Sequence, residues 1–135
     1  MKRAPTPLLQ AATGQPRSRR TRAELGVAAE QIATDDLKRR GFKILARNVR
    51  LGADELDIVA AVGSTLVIAE IRMRSRRDFG GAAASVDANK QHKLRRGVER
   101  WLQAHPHAGP VRIDVGLVDA EGRLEWIENA VEGAC

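Results

Sequence analysis

The stretch from Glu55 to Arg72 constrains the fold of this chain more than any other. It holds two apolar runs, Glu55 to Val62 and Thr65 to Arg72, separated by the dipeptide Gly63-Ser64. A two-residue connection of this type suits a tight turn with positive backbone angles, so the runs predict a β-hairpin. Side chains alternate across a strand. The pattern therefore expects Glu55, Asp57 and Val59 on one face, with Leu56, Ile58 and Ala60 on the other. On the second strand Glu70, Arg72 and Arg74 share a face opposite Ile71 and Met73. Each strand thus carries a carboxylate, Asp57 or Glu70, where the polar ends of the two strands can meet.

The flanking sequence supplies the rest of a fold. Thr21-Arg-Ala-Glu24 matches a capping box, and it predicts a helix from about Arg22 to Arg40. Leu25, Ala28, Ala29, Ile32, Ala33, Asp36 and Leu37 recur there at helical spacing, Glu30 falls beside that stripe, and Gly41 provides a left-handed stop. Phe42 to Arg50 reads as a first strand with Ile44 and Leu45 inside, followed by a turn at Leu51-Gly52-Ala53. After the hairpin, a loop from Ser75 to Ala84 leads into a second helix over about Ser85 to Ala104, with Leu94, Val98, Trp101 and Leu102 as its buried stripe. Val111, Ile113, Val115 and Leu117 alternate as a fourth strand, and a turn at Glu121-Gly122 precedes a short strand through Leu124 to Ile127. The order α-β-β-β-α-β-β predicts an α/β domain in which helices flank a mixed sheet.

Composition places limits on this domain. At 135 residues the chain fits one core, expected over 21–135. Residues 1–20, with Pro5, Pro7, Gly14 and Pro16, lack the apolar periodicity to fold alone and are expected to form a flexible basic arm. Of the net charge of +6, all is accounted for by residues 1–22, which hold six basic residues and no acidic one; the remainder holds 17 of each sign. That remainder is polarised: Arg72 to Arg100 contains nine basic and three acidic residues, Asp114 to Glu132 six acidic and one basic. A basic region of this kind suits phosphate contacts. The single cysteine, Cys135, excludes an intrachain disulfide, and no apolar run reaches membrane-spanning length, so a cytoplasmic protein without membrane contact is expected. With four aromatic residues and no tyrosine, a base-stacking platform is not expected; recognition would rest on backbone shape and charge.

Opposed carboxylates on neighbouring strands repel unless a cation lies between them, and a hydrated divalent ion is the common solution where the ligands are oxygens. Asp57 and Glu70 are the candidate metal ligands, and Glu30 from the first helix is expected to complete or orient the shell. Such a site suits phosphodiester hydrolysis, in which the cation polarises a phosphoryl oxygen and lowers the pKa of water. The side chain at position 72, two residues after Glu70 on the same face, is expected near the attacking water or the scissile phosphate. Arg47, Arg50, Arg74, Arg76 and Lys90 are the candidate nucleic-acid contacts.

From about Leu25 to Ala130 the chain resembles the bacterial YraN-like proteins, a group of predicted nucleases with a restriction-endonuclease-like fold related to archaeal Holliday-junction resolvases. The resemblance is carried by Gly26-Val-Ala-Ala-Glu30, Gly41 to Arg50, Glu55-Leu-Asp57-Ile-Val-Ala, Leu66-Val-Ile-Ala-Glu70-Ile-Arg72, Phe79-Gly80, Val86 with Lys90, Arg112-Ile-Asp114-Val and Asn129-Ala130. It implies that Glu30, Asp57 and Glu70 form the acidic site and that Arg72 stands at the lysine of an Asp…Glu-x-Lys motif. It further implies Mg²⁺ or Mn²⁺ as cofactor and nucleic acid as partner, DNA above RNA, with branched or flapped DNA as substrate. Two positions depart from the pattern: Asp54 replaces a glycine, and Arg72 replaces the lysine, exchanging a compact charge for a planar, permanently protonated fork. Three readings follow, a metal-dependent endonuclease, a catalytically silent nucleic-acid-binding module, and a protein-interaction adaptor. Paired cuts would require two active sites, which a homodimer would supply.

Overall fold

The computed structural model describes residues 21–74 and 88–131. The expected arm, the Ser75 to Ala84 loop, Arg76 and the first residues of the second helix lie outside them. Helix α1 (Arg22–Arg39) begins at the predicted capping box. Thr21 Oγ1 accepts from the Glu24 amide at 3.1 Å, and the Glu24 carboxylate accepts from the Thr21 amide at 2.9 Å. Four strands and a second helix follow the first strand: β1 (Lys43–Leu51), β2 (Asp54–Val62), β3 (Thr65–Met73), α2 (Ala88–Ala104), β4 (Val111–Val118) and β5 (Leu124–Ile127). The sheet order is β1-β2-β3-β4-β5, with β3 and β4 parallel and every other neighbouring pair antiparallel. This is the expected α/β, restriction-endonuclease-like arrangement.

The helices cover opposite faces of the sheet. On the α1 face, Ala33 and Leu37 pack with Phe42, Ile58, Ala60, Val67 and Ala69, and the small α1 residues bring that helix close to the strands. On the α2 face, Leu94, Val98 and Trp101 pack with Leu56, Val59, Leu66, Ile68 and the predicted β4 residues Val111, Ile113, Val115 and Leu117. Gly97 sets how near α2 approaches β2, since a Cβ there would lie 2.9 Å from Leu56 Cδ2. No helix among the described residues is long and apolar enough to cross a membrane.

Two expectations about β1 and β2 are corrected. Leu45 is exposed, because the β1–β2 register shifts between Ile44 and Ala46 and turns Leu45 outward. Strict alternation along β2 also fails: Ile58 and Ala60 belong to the α1-face cluster, but Leu56 joins Val59 in the α2-face cluster. The partner strand slips likewise, with both Ala46 and Val49 packed on the α2 side. Between the pairs Arg47↔Ile58 and Val49↔Leu56 stand Asn48 and Asp57. Asn48 has φ 52°, a left-handed conformation that asparagine tolerates better than most residues. The slip is therefore a local twist of both strands at one cross-strand position, and Asp57 sits on it.

The hairpin opens at the same place. The β2–β3 ladder runs from Val62↔Thr65, across a turn with Gly63 at φ 59°, to Ile58↔Ala69 and stops. Beyond it β2 pairs with β1 alone, through Leu56, Glu55 and Asp54, while β3 pairs with β4 from Glu70↔Val115 to Met73↔Val118. Asp57 and Glu70 are the first residues past the point of separation.

Candidate active site

Where β2 and β3 part, the backbone leaves a ladder donor without a strand partner, and the Asp57 side chain takes its place. Asp57 Oδ2 accepts from the Ile71 amide at 2.9 Å. The Asp57 and Glu70 carboxyl groups stand close enough to share a hydrogen bond when one of them is protonated. Glu70 is buried and Asp57 half-buried. Burial, then the Asp57 charge and the hydrogen bond between them, push the Glu70 carboxyl from 4.5 up to about 8. Burial also raises Asp57, against the opposing effect of the Ile71 amide and of Glu70. The pair consequently favours holding one proton between two carboxyl groups near neutrality.

These two residues face a cleft of about 320 Å³ between β2 and the start of α2, lined also by Ala53, Asp54, Glu55, Lys90, Lys93 and Leu94. Acidic groups form its floor and two lysines from α2 its rim. Lys90 acts electrostatically on both Asp57 and Glu70, and Lys93 acts on Asp54. Neither lysine's place over the carboxylates is legible from strand patterning, because it depends on how α2 crosses the sheet.

Among the described residues no group of three or more histidine, cysteine or acidic side chains stands close enough to hold a metal ion. Two carboxylates remain, and their donor set still fits Mg²⁺, a hard cation commonly held by one or two carboxylates with water and substrate oxygens completing the shell. The raised affinity of both groups for protons has the same physical origin, negative charge confined in a poorly solvated site. A divalent cation relieves it.

Glu30 lies nearby but does not border the cleft. It is half-buried on α1, and its carboxyl is raised first by burial and then by the Asp57 charge, with a hydrogen bond from Asn48 and the Arg47 charge acting in the other direction. Arg47 is exposed and donates to Gln31 Oε1 at 3.2 Å. Asn48, given no role by sequence reasoning, thus links the strand twist to Glu30. The apolar spacing from Ala46 to Val49, which breaks period two, was the available signal.

Arg72 shares the Glu70 face and lowers its proton affinity, yet it does not line the cleft. One terminal nitrogen of its guanidinium is buried without a hydrogen-bond partner. Arg74 forms an ion pair with Glu125 at the end of β3. Arg50 is exposed on the edge strand β1. Asp54, which stands where the family pattern has glycine, lines the cleft but is buried and held by a two-pronged bond from Arg96, Nε to Oδ2 at 2.9 Å and Nη2 to Oδ1 at 2.8 Å. The Arg96 hydrogen bond is the main reason its carboxyl is lowered, outweighing burial. Arg100 donates to the Leu51 carbonyl at 3.0 Å over Gly52. Two of the five cationic side chains of α2 therefore pin the helix to the β1–β2 turn.

Comparison with known proteins gives this arrangement a lineage. The uncharacterised protein family UPF0102 matches residues 29–118, a span that includes Glu30, Asp57, Glu70, Arg72 and Lys90. A UPF0102 protein of Methylobacillus flagellatus is 44% identical over 110 residues, covering 79% of this chain and 96% of the relative. UPF0102 proteins of Methylococcus capsulatus and Nitrosomonas europaea are each 40% identical, over 110 and 109 residues, covering 79% of this chain and 89% and 92% of the relatives. With both the matched span and the motifs in agreement, the chain belongs to the uncharacterised protein family UPF0102, the YraN-like family.

Proposed function

We propose that this protein is a Mg²⁺-dependent endonuclease of the cytoplasm, acting on branched or flapped DNA through Asp57 and Glu70. The observation that carries the reading is the carboxylate pair, Glu70 buried and Asp57 half-buried, on the floor of a cleft rimmed by Lys90 and Lys93. Hydrolysis joins a water oxygen to phosphorus and breaks the phosphorus–oxygen ester bond. One water proton passes to the leaving oxygen and the other stays on the new phosphomonoester. When bound, Mg²⁺ supplies charge neutralisation and acidifies water. The chain itself contributes Asp57 and Glu70 as oxygen ligands and the Ile71 amide to fix the Asp57 carboxylate, with Glu30 within electrostatic reach of Asp57. Arg47 and Arg50 on β1 offer phosphate contacts beside the site.

The test is incubation of the full chain with four-way junction, flap and linear duplex DNA in Mg²⁺ or Mn²⁺. Cleavage is expected on the branched substrates, and Asp57→Ala should lower it by about 100-fold or more, as loss of a group that holds a catalytic charge in place does. Cleavage insensitive to Asp57→Ala would exclude this site. Salt-sensitive binding that persists in Asp57→Ala and Glu70→Ala, with no cleavage by the parent, would favour the silent nucleic-acid-binding module, a reading to which the arginine at position 72 lends weight.

A further inference from the structure

The proposed activity calls for a cation at the scissile phosphate, and the family motif would place it at position 72. The geometry points elsewhere: we propose that Lys90, reaching the cleft from α2, is the catalytic cation that meets the scissile phosphate, and that Arg72 is not. This inference rests on the nuclease reading and assigns one role within it.

Three observations support the assignment. Lys90 lines the cleft together with Asp57 and Glu70, and Arg72 does not. The Lys90 charge acts on both carboxylates, and on Glu70 it outweighs that of Arg72. Arg72 is half-buried along β3, with one terminal nitrogen enclosed away from the cleft lining. A lysine on a helix at the rim presents a compact charge, suited to a phosphoryl group that enters the cleft. The other rim lysine is a poorer candidate, because Lys93 acts on Asp54, which Arg96 already neutralises. During that hydrolysis Lys90 exchanges no proton. Its role is to offset the negative charge that gathers on the non-bridging oxygens as the water oxygen bonds to phosphorus and the ester bond breaks.

The replacement of lysine by arginine at position 72 then has a physical meaning. If the active charge comes from α2, position 72 is relieved of contact with the phosphate and can carry a bulkier cation beside Glu70.

Two readouts test this on the full chain, with thermal melting to confirm that each variant folds. In single-turnover cleavage of junction and flap DNA, Lys90→Ala should lower the rate about 100-fold while DNA binding in EDTA weakens only modestly. Lys90→Arg should recover part of the loss, and Arg72→Met should cost less than Lys90→Ala. In calorimetric titration with Mg²⁺ alone, removing the Lys90 charge should tighten binding about tenfold, because one like charge has left the neighbourhood of the ion, whereas Arg72→Met should change it less. A greater loss of rate in Arg72→Met, or a Mg²⁺ affinity that responds to Arg72 and not to Lys90, overturns the assignment. Absence of cleavage by the parent chain defeats the nuclease reading separately. The Mg²⁺ titrations then decide, by the same comparison, which cation faces the pair, and an affinity unchanged in both variants also overturns it.

Discussion

At the residue scale, the Asp57–Glu70 pair makes the stability of the metal-free protein depend on pH in an unusual direction. Most carboxylates in folded proteins gain partners and lose their contribution on acidification. Asp36 does so here: burial alone would raise its carboxyl, but hydrogen bonds from Trp126 and Arg40 outweigh that and lower it. Glu70 behaves oppositely, moving from 4.5 to about 8 on folding. The folded chain holds that proton more tightly than the unfolded chain, so the contribution is complete below about 4.5 and declines as pH rises toward about 8. One proton sets an upper limit of about 1.4 kcal/mol per pH unit on the slope. The melting temperature in EDTA is expected to fall from pH 5 to pH 8, and Glu70→Gln should flatten the profile. A parent profile that rises across this window would contradict the arrangement. None of this was readable from residue spacing, which located two carboxylates on one hairpin but carried no information about their burial.

At the scale of elements, local rules were read correctly wherever one element could be treated alone. The capping box, the Gly63-Ser64 turn, the α2 stripe and the β4 alternation all depend on residues close in sequence. Misreading began where two strands deform together. Alternation describes a straight strand, and it failed at Asn48 and Asp57 because the β1–β2 pair twists there. The function of Asp54 was equally hidden, since its partner Arg96 lies 42 positions away. The fit of α2 against β2 gives a test of this packing. Gly97→Ala gains about 1 kcal/mol in helix propensity but forces a methyl group to 2.9 Å from the fully buried Leu56 side chain, and overpacking of this kind costs about 1–3 kcal/mol. A net loss of about 1 kcal/mol in urea denaturation is expected. A stabilised variant would show that the helix has room to retreat from the strand.

At the scale of the whole molecule, the number of basic residues overstates the charge presented to a nucleic acid. Arg96 and Arg100 hold the β1–β2 turn, Arg74 pairs with Glu125, and Arg112 donates to the buried Asp114. Arg50, exposed on the edge strand, and Lys93, exposed at the cleft rim, are better placed. Salt dependence separates the two groups. Arg50→Ala is expected to reduce the slope of log affinity against log salt by about 1, weakening all DNA sequences alike. Arg96→Ala should leave the slope in place and lower the melting temperature, because it strands the buried Asp54 carboxylate. Equal loss of slope in both variants would place Arg96 on the phosphate track after all. Edge protection uses the same charges, since exposed Lys43, Arg47 and Arg50 along β1 discourage pairing with the edge of another sheet.

The hydrogen bond from the Ile71 amide to Asp57 makes one backbone position a natural spectroscopic probe. Through it the amide proton senses the charge and orientation of a carboxylate on the neighbouring strand. Any cation that draws the Asp57 oxygens toward itself alters the shielding of that proton and its exchange with solvent. The nitrogen resonance of Ile71 therefore reports the state of the cleft without a label introduced into it.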